Sequence, residues 1–125
     1  MLIDKHLEHG IVVLKPEDRL DIIGYLDLEE TLADLVLHGL VRVVIDLSLV
    51  TFVSSTSLAV ILRFTRETEM AGGRLVVASV CDAFRRILAA SGVDAAAIPC
   101  FDDCELAVDA LKNHRRTDSR NAASV

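Results

Sequence analysis

At 125 residues and 52% apolar content, the chain has the length of one domain, able to bury roughly 65–70% of its unfolded surface in a single core. Aromatics are only 4% with no Trp, so the core must be aliphatic and the stacking platforms used for single-stranded nucleic acid are missing. The tail 114–125 carries Arg115, Arg116 and Arg120 against Asp118, or +2, and the total of −6 leaves −8 on residues 1–113, a charge that repels nucleic acid.

The opening MLIDKHLEHG has no basic stretch followed by an apolar core, so no signal peptide is expected. No apolar run reaches the ~18 residues of a membrane span, and no membrane insertion is expected. Cys81, Cys100 and Cys104 are an odd set, which suggests reduced thiols and a cytoplasmic protein.

Ile3–Leu7 and Ile11–Leu14 read as strands joined at His9–Gly10, a hairpin. Pro16 interrupts, and Glu17–Asp21 reads as polar loop. From Gly24 to His38, Leu28, Leu32, Leu35 and Val36 recur at helical spacing until Gly39. Val41–Leu47 is an apolar run without alternation, hence a strand buried on both faces. A short loop leads to the helix Leu58–Met70, entered through Ser54, Ser55, Thr56 and Ser57 and closed by Gly72–Gly73. Arg74–Val80 is the next buried strand. Asp82 is expected to cap a short helix bearing Phe84, Ile87 and Leu88. Ala97–Phe101 reads as a stub of edge strand, and Asp102 or Asp103 caps a last helix to about Lys112. Residues 114–125 are polar and aperiodic, a disordered basic tail. Strands alternating with helices imply parallel pairing. The fold class is α/β: one domain over residues 1–113, with a mixed, mostly parallel sheet of four to five strands and about four helices.

The four hydroxyls are the leading candidate site. One is enough to cap a helix; four at its positive end make a place where phosphate is welcome. They also follow the carboxyl end of a strand, where ligand and partner sites gather in open α/β sheets. The loop DLSLVTFVS lacks a Gly-rich phosphate cradle, so no P-loop is present. No GxSxG elbow exists, and His6, His9, His38 and His114 stand away from strand ends where a serine's base belongs, which argues against an enzyme. Cys100 and Cys104 lack the further ligands a zinc site needs, so they read as core or half-buried thiols and no metal is expected. Arg85 and Arg86 read as a solvated helix face able to hold an acidic partner. Glu17, Asp18 and Asp21 read first as solvated loop carboxylates, with an acidic rim for a basic partner as the second reading.

The stretch IDLSLVTFVSSTSLAVIL resembles the STAS domain family of bacterial anti-sigma factor antagonists, which typically show a strand, Asp-Leu-Ser, a loop, then Asp-Ser-x-Gly-Leu opening a helix. Asp46, Leu47 and Ser48 fit the first part. Phe52 and Val53 fit the apolar pair, Ser55 falls on the phosphorylatable serine, and Leu58 on the following leucine. GGRLVVASV, FRRILAASGVD and FDDCELAVDAL resemble the family's next strand, helix and closing helix, so the likeness spans roughly residues 3–112. Ser54 stands where the family shows Asp, and Ser57 where it shows Gly.

The resemblance implies a binding module without catalysis or cofactor. It would bind an anti-sigma factor with serine kinase activity and be phosphorylated on Ser55, with Ser54 and Thr56 as alternatives. A serine phosphatase would reverse this, regulating sigma-factor-dependent transcription. The partner-binding residues implied are Phe52, Val53, Ser54, Ser55, Thr56, Ser57 and Leu58. The same family also supplies STAS subunits of transporters or stress-signalling scaffolds, which need no phosphorylation.

Overall fold

In the computed structural model, residues 2–113 are described; the expected tail 114–125 lies outside the described residues. The chain opens with β1 (Ile3–Glu8) and β2 (Ile11–Pro16), an antiparallel hairpin. Its turn is His9–Gly10, at φ 53° and 76°. Two successive positive φ values match the right-handed twist of the strands, which is why glycine sits there.

Next come β3 (Asp18–Leu20), α1 (Gly24–Leu37), β4 (Arg42–Asp46), β5 (Val50–Val53) and α2 (Ser55–Met70). The chain continues with β6 (Arg74–Ala78), α3 (Asp82–Ala90), a 3-10 turn (Ala95–Ala97), β7 (Cys100–Phe101) and α4 (104–113). Five strands form one sheet in the order β1-β2-β4-β6-β7, parallel except at the hairpin. The α/β class, the mixed sheet and the four helices expected from the sequence are all present.

Period-two alternation sorts the strand side chains onto two cores. Val12, Leu14, Val43, Ile45, Leu75 and Val77 face α1, α2 and α3. Ile11, Val13, Val44, Val76 and Ala78 face the other way, under Ala107, Val108 and Leu111 of α4. Both faces are covered, so the strands read as continuous apolar runs. Gly73 packs so closely on the Val41 carbonyl that a Cβ would collide with backbone. Glycine is required there by close approach.

Three expectations are corrected. The segments read as loops at 17–21 and 48–53 contain β3 and β5, which pair in parallel as a separate two-stranded ribbon. Neither strand has a local signal, because each exists only through the other. The second correction concerns α3: Cys81 occupies its N-cap position without a side-chain cap bond, and Asp82 is the first helical residue. There its carboxylate still complements the helix dipole. The third concerns the stub at 97–101. The 3-10 turn takes its start, and Cys100–Phe101 alone form strand.

Candidate functional site

The ribbon delivers the hydroxyl run to the carboxyl end of the sheet. Leu47 donates its N–H to the Ala78 carbonyl, and Asp46, nearly buried, accepts the Ser48 N–H at 3.0 Å, so the chain turns immediately after β4. β5 then lies against β3, with Phe52 beside Arg19 and Val53 beside Leu20. Thr51 is the extra residue at an irregularity, where Asp18 adopts φ 65°. Asp tolerates this left-handed conformation better than most residues. The Thr51 hydroxyl donates to the Asp18 carbonyl, and the Asp18 N–H to the Leu49 carbonyl. The outcome is a fixed platform: the Arg19 guanidinium lies 4.3 Å from the Phe52 ring centroid and 3.8 Å from the Asp21 carboxylate.

Ser54 is the N-cap of α2, with extended backbone at φ −81° and ψ 162°. Its Oγ accepts the Ser57 N–H at 3.1 Å and donates to the Ser57 Oγ at 3.0 Å. Ser57 is 0% exposed, and its hydroxyl donates to the Leu20 carbonyl at 2.9 Å. The same carbonyl receives the Ser54 N–H at 2.8 Å. Two of the four hydroxyls therefore tie the tip of α2 to β3. Ser55 and Thr56 are exposed, and among the described residues neither hydroxyl is engaged.

Of the seven residues expected to meet a partner, Val53, Ser57 and Leu58 are buried. They hold the tip from beneath; Phe52, Ser54, Ser55 and Thr56 carry its surface. A glycine-like gap at 57 does not exist to be filled from outside, because the Ser57 hydroxyl points to Leu20. No local pattern signals this, since the carbonyl partner is 37 residues away.

Flanking groups complete the site. Asp21, read as a loop carboxylate, accepts the N–H groups of Ile23 and Gly24, each at 3.0 Å, and so caps the entry to α1. Those bonds, Gly24's first and Ile23's second, hold its pKa below the ordinary 3.8. On the opposite flank a shallow groove separates β5 from α3, with Phe52, Val53, Ile87 and Arg86 along it. The expected pair Arg85–Arg86 thus divides: Arg86 borders the tip, and Arg85 is solvated.

The described histidines stand elsewhere. His6 lies on β1 near Glu8, His9 in the hairpin turn, and His38 at the C-cap of α1 with Nδ1 at 2.8 Å from the Asp34 carbonyl. His114 lies outside the described residues. Burial, with the neighbouring Asp46 second, pushes the half-buried Cys104 thiol up, which lowers its thiolate fraction. Cys81 and Cys104 are half-buried as expected, while Cys100 is exposed. Among the described residues no cluster of three His, Cys, Asp or Glu could hold a metal ion, and no helix is long and apolar enough to cross a membrane.

No curated protein matches the chain by sequence. Among solved structures it is similar to a candidate anti-sigma factor antagonist of Thermotoga maritima, at 21% identity and a TM-score of 0.80, over 88% of this chain and 94% of that one. An anti-sigma factor antagonist from Mycobacterium paratuberculosis matches at 23% identity and 0.75, over 89% and 93%. The Bacillus cell-fate determinant SpoIIAA in its phosphorylated form matches at 17% and 0.69, over 86% and 97%. These likenesses show a shared fold. A family model described as "Mlab, STAS domain" matches residues 3–100. That span runs from β1 to the start of β7, with the β3–β5 ribbon and the capped tip of α2 inside it, and through it the chain belongs to the STAS domain family.

Proposed function

We propose that the chain is an anti-sigma factor antagonist, docking through the tip of α2 onto an anti-sigma factor with serine kinase activity and switched by reversible phosphorylation of Ser55. The observation that carries this reading is the division of labour in the hydroxyl run. Ser54 and Ser57 spend their hydroxyls on the cap and on Leu20, leaving Ser55 and Thr56 exposed and free to react. Ser55, the first residue of α2, is the primary acceptor.

The switch needs no change of fold. A phosphoserine carries about −1.5 to −2 charges, which a helix N-terminus accommodates. SpoIIAA, solved in a phosphorylated form, gives a precedent within this fold. At an interface the sign reverses. Against one partner carboxylate ~6 Å away, an effective dielectric of about 20 gives roughly 4–5 kcal/mol of repulsion before salt screening. Half of that weakens binding by more than about tenfold.

Incubation with the candidate kinase partner and ATP tests the proposal: a complex should form, and intact-mass analysis should place one phosphate on residue 55. Neither complex nor phosphate on residues 54–57 would sink it. Ser54 and Ser57, standing where the family shows Asp and Gly, favour a second reading, a STAS subunit of a transporter or stress-signalling scaffold that docks through the same surface unphosphorylated. On that reading Ser55→Ala leaves every function of the protein intact.

A further inference from the structure

Ten large apolar side chains stand exposed among the described residues, and five of them, Leu2, Ile22, Ile23, Leu26 and Leu49, belong to segments tied by backbone hydrogen bonds to β3 and the turn on either side of it. Their proximity follows from the hydrogen bonds. Leu2 accepts the Glu17 N–H, Leu49 accepts the Asp18 N–H, and Ile22 and Ile23 form the turn into α1 that Asp21 holds. Ile22 and Ile23 are each 73% exposed, although the Asp21 carboxylate, not their burial, secures that turn. Scattered exposed aliphatics need no explanation, but a contiguous set rimmed by polar groups marks an interaction surface.

The rim is predominantly acidic. A groove of about 440 Å³ runs between Leu2 and Ile23, and the carboxylates along it are Glu17, Asp18 and Asp21. The cation among them, Arg19, is turned onto the Phe52 ring and toward Asp21. β3 also ties this surface to the hydroxyl tip, because the Leu20 carbonyl receives both the Ser54 N–H and the Ser57 hydroxyl.

We propose that this surface docks a cationic amphipathic segment of a protein partner, with apolar side chains on Leu2, Ile22 and Ile23 and Lys or Arg side chains against Glu17, Asp18 and Asp21. This extends the docking reading of the α2 tip and rests on it for the partner being a protein. The chemistry disfavours other occupants. An anionic membrane is repelled by the three carboxylates, and a second copy would set the same acidic rims against each other.

The test uses the full chain with nitrogen-labelled amides, titrated with a synthetic helical Leu/Lys peptide and with its Leu/Glu counterpart. The Leu/Lys peptide should shift amides at 2, 17–26 and 49, and the Leu/Glu peptide should leave them in place. The double variant Ile22→Ser/Ile23→Ser should weaken binding by about tenfold. Glu17→Gln/Asp18→Asn should weaken it several-fold and reduce the loss on raising salt from about 50 to about 300 mM; Asn suits the φ of position 18. Unchanged amide spectra away from the patch certify that each variant is folded. The titration involves neither the kinase partner nor ATP, so a failure of the switch at Ser55 is read separately. Shifts scattered over the acidic surface, or undiminished binding by the isoleucine variant, would overturn the proposal.

Discussion

At the scale of single residues, Ser57 is the least expected participant. A hydroxyl in the first turn of a helix ordinarily faces water, yet this one is enclosed and bonded at both ends, accepting from Ser54 and donating to Leu20. Removing it leaves the Leu20 carbonyl with the Ser54 N–H alone and strands the Ser54 proton. Ser57→Ala is therefore expected to cost about 1–2 kcal/mol. Urea unfolding should show a lower midpoint with an unchanged slope. A change in slope would mean the serine shapes more than its own contacts. Ser55→Ala, two residues away but exposed, should leave the midpoint where it is.

Among the elements, α1 gives the clearest dependence on pH. Its entry is held by Asp21, whose pKa lies below the ordinary 3.8 because its ionised form accepts the Gly24 and Ile23 N–H groups. A carboxylate depressed in the folded state stabilises above its unfolded pKa and loses that contribution as pH falls through the folded one. Asp21→Asn keeps an acceptor oxygen but loses the charge. It should be less stable than the parent at neutral pH, with the gap closing as pH falls through the lowered folded-state pKa. Equal urea midpoints at neutral pH would show that the charge at this cap is idle.

The contrast between α1 and the β3–β5 ribbon also explains what the sequence could reveal. Leu28, Leu32 and Leu35 announce α1 because helical spacing is local, and Gly39, at φ 74°, marks its end. Asp18–Leu20 and Val50–Val53 announce nothing, because a parallel pair some thirty residues apart is decided by tertiary contact. The hydroxyl run stands out in the sequence as a candidate site, since four hydroxyls exceed what a cap needs. Its partition into two structural and two exposed hydroxyls does not, because the partition depends on a carbonyl in β3.

For the whole molecule, the position of the tip decides how a modification is felt. The two apolar cores lie on the two faces of the sheet, whereas Ser55 stands beyond its carboxyl end, outside both. Ser55→Glu should melt within about 2 °C of the parent, since it adds one charge at a helix N-terminus and disturbs no packing. On the proposed switch, its affinity for an anti-sigma factor kinase should nonetheless fall by more than about tenfold. A large drop in melting temperature would mean that the variant reports unfolding instead of switching.

The antiparallel β1 has a practical consequence for all such measurements. Because it runs against the other strands of the five-stranded sheet, it starts where they finish, and Leu2 comes to rest along the groove beside Glu17 and Ile23. An affinity tag fused ahead of Leu2 would emerge into the surface that a partner is expected to cover, and a polyhistidine tag would bring cationic side chains to its carboxylates at mildly acidic pH. Binding experiments on this protein are best run with any such leader cleaved off.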